Sequence, residues 1–151
     1  MPVMIHVHAL ITQYITIPTS TGKVAIPFDK IEEYLKLQAE AEQQRAPLRR
    51  RMNALNEDFS AYLLQKYSER TARKHSAIVE LFIDFICNQT DVQQIEEITQ
   101  GMVNTHFRQW WKRKVWDATT PEQLKVALKK FFTFLATEKN IVNEKALKGL
   151  L

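Results

Sequence analysis

Ser68-Glu69-Arg70-Thr71-Ala72-Arg73-Lys74-His75 opens a segment that runs into Leu81-Phe82-Ile83-Asp84-Phe85-Ile86, and the same chain later carries Leu124-Lys125-Val126-Ala127-Leu128-Lys129-Lys130-Phe131-Phe132-Thr133-Phe134-Leu135. Both are amphipathic at helical spacing. In the first, Ile78, Val79, Phe82, Ile83 and Ile86 form one apolar stripe, and Arg70, Arg73, Lys74 and Ala77 fall opposite it. Ser68 is a suitable N-cap for a helix over about Glu69 to Asn88. In the second, Leu124, Ala127, Leu128, Phe131, Phe132 and Leu135 point inward, and Lys125 and Lys129, four residues apart, share the outer face. Its start is marked by Thr120-Pro121-Glu122-Gln123: Thr as cap, Pro at the first helical position, Gln three residues after the cap.

Outward from these two helices the pattern stays helical. Phe59-x-x-Tyr62-Leu63 predicts a helix over Asn56 to Tyr67. Thr90 to Glu97 is an acidic loop, followed by a helix from near Thr99 to about Trp116. Asn140 ends the Leu124-containing helix near Glu138, and Asn143 caps a short last one over Glu144 to Leu150. The expected fold class is therefore mainly α, a bundle of four or five helices over residues 51–151. Residues 1–50 read as an appendage. Val3 to His8, Tyr14 to Ile17 and Lys23 to Ile26 alternate as strands do, with Thr19-Ser20-Thr21-Gly22 as a turn, and Phe28 to about Ala46 reads as a helix whose apolar stripe thins after Leu37. Pro47, followed by arginines, marks a break or kink and a candidate linker.

Composition restricts the function. The chain has 151 residues, 45% hydrophobic and 25% charged, with three glycines and one cysteine, the balance of one ordinary folded domain or a small domain with an addition. No apolar run approaches the length of a membrane span, and no signal peptide is read. Cys87 lies in an apolar helical pattern and reads as a small buried residue; a reducing, cytoplasmic location is expected. The net charge of +4 and pI near 9.2 are a mild excess, but the cations cluster in sequence at Arg45 to Arg51, Lys66 to Lys74 and Arg108 to Lys114. Such clusters are either solvated faces or polyanion sites. A helix beginning with Thr71, Arg73 and Lys74 presents cations and backbone N–H groups together, which suits phosphate.

Other chemistries find no residues. Gly22, Gly101 and Gly149 are isolated, so no phosphate-cradling glycine loop is present. His6 and His8 share a strand face without a carboxylate or cysteine at ligand spacing, and no metal or other cofactor is expected. His75 and His106 have no nucleophile partner. In Phe107-Arg108-Gln109-Trp110-Trp111-Lys112-Arg113-Lys114-Val115-Trp116 the aromatics are spaced to bury and the cations to snorkel; stacking on a single strand is the other reading.

The order of pieces from about Leu55 to Leu150 resembles the core-binding, SAM-like N-terminal domain of tyrosine recombinases, the phage integrase family. Ser68 and Thr71 match that family's pattern at the second bundle helix, with His75 where an aromatic is usual, and Leu124 to Leu135 with Asn143 matches the fourth more loosely. The resemblance implies a bundle whose second and fourth helices grip duplex DNA, and it carries DNA contact to Thr71, Arg73, Lys74, Lys125 and Lys129, as contact to phosphate rather than sequence readout. Recombinases of this family cut DNA with a tyrosine near the C-terminus of a second domain. The tyrosines here are Tyr14, Tyr34, Tyr62 and Tyr67, so no catalytic residue is assigned and no enzyme activity is expected. The expected partner is double-stranded DNA, with self-association on it a further option, and neither a membrane nor a small-molecule substrate. A helical interaction or dimerisation module without nucleic-acid binding is the alternative.

Overall fold

A computed structural model of the chain describes residues 14–19 and 22–151. Two strands come first, β1 (Tyr14–Thr19) and β2 (Gly22–Pro27). They are followed by helices α1 (Ile31–Lys66), α2 (Glu69–Gln89), α3 (Phe107–Lys114), α4 (Pro121–Glu138) and α5 (Glu144–Gly149). The strands form an antiparallel hairpin in register Tyr14↔Pro27 through Thr19↔Gly22. The strand expected over Val3 to His8 lies outside the described residues. The mainly helical architecture agrees with the expected bundle.

The first correction concerns Pro47. It lies inside α1, which runs unbroken through the expected linker and joins the two helices read on either side of it. Proline deletes one backbone donor, but its own side is exposed while its neighbours Arg45 and Leu48 are buried. Tertiary packing on both sides of the defect carries the helix across it, as packing usually outweighs propensity. Leu48, Met52, Leu55, Phe59 and Leu63 then make one buried stripe along α1 at the spacing of a single helix face.

That stripe packs on α2 and α4. Phe59 meets Phe131 edge-on at 5.3 Å and Phe134 at 5.4 Å; Phe82 of α2 meets Phe107 at 5.1 Å and Phe132 at 6.0 Å, both edge-on. Such ring pairs add about 0.5–1.5 kcal/mol each beyond their buried area. Two polar pins set the register. Asn56 Nδ2 donates to the Ser76 carbonyl (3.1 Å) and Ser76 Oγ to Asn56 Oδ1 (3.3 Å), and Lys139 pairs with Asp58 at 2.8 Å.

Three of the four arginines between Arg45 and Arg51 have partners within the fold. Arg45 is buried and donates to the Ile86 carbonyl near the C-terminus of α2, where a cation also meets the negative end of the helix dipole. Arg49 pairs with Asp84 (2.9 Å) and donates to Asn88 (2.8 Å), and Arg51 approaches Glu96 at 3.8 Å.

The loop after α2 is fixed from within. Thr90 Oγ1 donates to the Ile86 carbonyl at 2.6 Å, and Val92, Ile95 and Ile98 are buried while Asp91, Glu96 and Glu97 face outward. Asn143, the expected cap of α5, is buried: its Oδ1 accepts from Ala146 N (3.0 Å) and its Nδ2 donates to the carbonyls of Ile95 (2.8 Å) and Ile98 (3.0 Å). Gly149 seats α5 close to the start of the helical stretch that leads into α3, where a Cβ would stand 2.9 Å from the Gln100 carbonyl oxygen. α4 ends as read: Asn140 takes φ 57, and the Ile141 amide turns back to the Leu135 carbonyl at 2.9 Å.

The helix expected to reach Trp116 instead ends at Lys114 and contains a π turn, Met102–His106. Val115 is extended (φ −117, ψ 123), so the helix stops short of Trp116. Phe107 and Trp111 are buried and Trp110 packs at the core margin, as the spacing predicts, but Trp116 is 93% exposed. Among the described residues no helix is long and apolar enough to cross a membrane.

Candidate nucleic-acid interface

The start of α2 is shaped by its cap. Ser68 Oγ accepts from the Thr71 amide (3.2 Å) and also bonds the Thr71 hydroxyl (3.0 Å). The Thr71 amide is therefore engaged rather than free for a ligand, and it is the side chains of this first turn that face outward. Arg70, Thr71, Lys74 and His75 form one wall of a groove of about 300 Å³ whose other wall is Glu122, Gln123 and Val126 at the start of α4. The capping box expected there is present: Gln123 N donates to Thr120 Oγ1 (3.2 Å) and Thr120 N to Gln123 Oε1 (2.9 Å). It fixes the wall that α4 supplies.

A second groove, also about 300 Å³, adjoins the first through Val126. Tyr62, Lys66 and Tyr67 line it from the end of α1, and Lys129, Lys130 and Thr133 from α4. Two of its three cations are held over rings. Lys66 Nζ lies 4.6 Å from the Tyr62 ring centre, and Lys130 Nζ 4.0 Å from that of Tyr67. Lys130 also reaches His75 Nδ1 at 3.5 Å, bridging the two grooves. Burial, and then the charges of Lys130 and Lys74, hold the His75 imidazole below its ordinary pKa.

Of the five residues expected to touch DNA, Thr71 and Lys74 line the first groove and Lys129 the second. Lys125 lines neither. At about 100° per residue, it lies between Pro121 and Glu122 on the exposed crest of α4. Arg73 is exposed and pairs with Glu69 at 2.7 Å, an i,i+4 pair of the weak, solvent-screened kind. The grooves also recruit Lys66, Arg70 and Lys130, which the sequence reading left without a role. Arg70 and Lys130 stand beside assigned positions in sequence. Lys66 opens the Lys66 to Lys74 cluster, and the docking of α4 against the end of α1 brings it to the groove.

The surface these side chains make is a cationic trough with an apolar floor, interrupted by one carboxylate, Glu122. Among the described residues no group of three or more His, Cys, Asp or Glu is placed to hold a metal ion. Cations placed along such a trough are of the kind that suits phosphate.

A family model described as phage integrase, N-terminal SAM-like domain, matches residues 56–139, more than half of the chain. No curated protein and no solved structure gives a significant match.

Proposed function

The chain belongs to the phage integrase N-terminal SAM-like domain family, and from that membership we propose that it is a non-catalytic module of a site-specific recombinase that grips duplex DNA through α2 and α4. One observation carries the reading: the first turns of α2 and the end of α1 face α4 across two adjoining cationic grooves that share Val126. Lysine and arginine there displace counterions condensed on the duplex, so affinity is dominated by phosphate contact and falls steeply with salt. Residues 51–151 act as the DNA-binding unit. Residues 1–50 act as an appendage, rooted through Arg45 and Leu48. The role goes with a cytoplasmic location and needs no cofactor.

The test is binding of a labelled duplex across a salt series by the unmodified chain and by the Arg73→Ala, Lys74→Ala, Lys125→Ala, Lys129→Ala quadruple variant. Binding lost in the variant, with helical circular dichroism unchanged, supports the assignment. Equal affinity in both removes these residues from the interface.

A second reading rests on α1. Leu35 and Leu37 are exposed along its N-terminal part and Phe28 just before it, a surface suited to self-association with or without DNA. A monomer at micromolar concentration on a sizing column removes that reading.

A further inference from the structure

α4 is flanked by cations on both sides. A third groove, about 530 Å³, separates α3 from the start of α4, with Arg108 and Lys112 on the α3 wall, Pro121 and Leu124 on the α4 wall, and Trp111 and Val115 among its apolar lining. Arg108 and Lys112 are four apart, on one face of α3. Arg108 is oriented by its own helix, its Nε donating to the Asn104 carbonyl at 2.8 Å, which leaves the terminal nitrogens of the guanidinium free to point away. Neither cation forms an ion pair with a carboxylate among the described residues. Asp117, the one acid lining this groove, accepts from the Thr119 amide at 2.9 Å.

We propose that Arg108 and Lys112 form a second phosphate-binding wall, contacting the strand of duplex DNA across α4 from the one met by Arg70 and Lys74. The inference rests on the proposed duplex-binding function and extends its footprint to α3. The dimensions support it. A helix with side chains is about 10–12 Å across, and the major groove is about 12 Å wide. A helix lying in that groove has a sugar–phosphate backbone on each side. α4 has this arrangement at its first turns: Glu122, Gln123 and Val126 face the Arg70–Lys74 wall, Pro121 and Leu124 face the Arg108–Lys112 wall, and Lys125 sits on the crest between them. The apolar floor of the third groove suits deoxyribose, and the rim cations suit the phosphates.

The experiment compares salt dependence of binding to a nonspecific duplex for the full 151-residue chain and three double variants. Arg108→Ala with Lys112→Ala is expected to reduce the slope of log affinity against log salt by about 1.8, two phosphates at about 0.9 each. Arg108→Lys with Lys112→Arg keeps both charges and is expected to keep the slope. Lys145→Ala with Lys148→Ala removes the same charge from α5, outside all three grooves, and is expected to leave the slope near that of the unmodified chain. If the unmodified chain binds and the Arg108/Lys112 alanine variant keeps its slope, this inference alone fails. An equal loss from the Lys145/Lys148 variant overturns it too, since the effect is then net charge. No duplex binding by the unmodified chain overturns this inference and the reading beneath it together.

Discussion

Lys130 Nζ stands 3.5 Å from His75 Nδ1, and its ammonium also sits over the Tyr67 ring. The contact joins α2 to α4 at the point where the two grooves meet. It requires a neutral imidazole offering Nδ1 as acceptor to the lysine. Burial is the first cause holding His75 below its ordinary pKa, and the charges of Lys130 and Lys74 act in the same direction. The unfolded chain therefore binds more protons at this site than the fold does in the window between the depressed pKa and about 6.5, the ordinary histidine value. Stability contributed here is whole above that window and is lost as pH falls through it. Thermal melts at pH 7.5 and 5.0 should show a larger drop for the natural chain than for His75→Phe. NMR titration of the His75 ring should show its pKa rising when duplex is added, because phosphates favour the imidazolium. A ring titration unmoved by duplex would place His75 away from the bound backbone.

Glu122 is the one carboxylate lining the two grooves around Val126. In the first turn of α4 it favours the helix dipole by about 0.3–1 kcal/mol, but it faces any phosphate drawn in by Arg70 and Lys74. Glu122→Gln should lower thermal stability slightly and tighten duplex binding severalfold at low salt. The gain should shrink as salt rises, as screened repulsion does. Lys74→Ala should weaken binding more than Arg73→Ala, since Arg73 shares its charge with Glu69 at 2.7 Å. The opposite order of effects would remove Lys74 from the contact surface.

Asn143 satisfies two buried carbonyls and one amide with a single side chain. Asn143→Ala takes the partner from the Ile98 carbonyl and the Ala146 amide, leaves the Ile95 carbonyl only the Ile98 amide at 3.2 Å, and should cost about 2–4 kcal/mol, on the basis of roughly 1–3 kcal/mol for an unsatisfied buried group. Asn143→Asp keeps the cap to Ala146 but turns two donations into repulsions, so it should be no better than alanine in chemical denaturation. An aspartate variant as stable as the natural chain would mean that the Ile95 and Ile98 carbonyls are solvated.

What was legible in the sequence was whatever a local pattern encodes. Ser68, Thr120 and Asn143 were readable as caps because each acts on an amide three residues ahead. The inward faces of α2 and α4 were readable because burial follows the helical period. Two features depend on information that no local pattern holds. The Arg45 to Arg51 cluster reads as either a solvated face or a polyanion site, and the partners of Arg45, Arg49 and Arg51, which are Ile86, Asp84 and Glu96, are 35 or more residues away. Trp116 reads as inward from its place in an aromatic-rich run, but at about 100° per residue even a longer α3 would carry it on the side opposite Phe107, and the extended backbone at Val115 is not coded by any glycine or proline. Of the site, Thr71, Lys74 and Lys129 were found on their helices, but the grooves, and with them Lys66, Arg108 and Lys112, exist only once α4 docks between its neighbours.

Pro47 gives the sharpest contrast between local and tertiary information, and a direct measurement. A proline inside a helix is about 3 kcal/mol worse than alanine in an unconstrained host, through a lost hydrogen bond and a clash with the carbonyl four residues back. Here the helix persists because Arg45, Leu48 and Met52 are buried on the face away from Pro47. The defect is thus present in the folded state and offset by packing. Pro47→Ala should restore a backbone bond, raise the melting temperature by several degrees, and leave duplex binding unchanged, because residue 47 lies outside the grooves around α4. If residues 31–46 and 48–66 were instead separate helices meeting at a hinge, the same substitution would leave the melting temperature near its original value. Truncating residues 1–44 would then also be harmless. With a continuous α1 the truncation brings Arg45 to the chain end, loosens its bond to the Ile86 carbonyl, and should lower the melting temperature measurably.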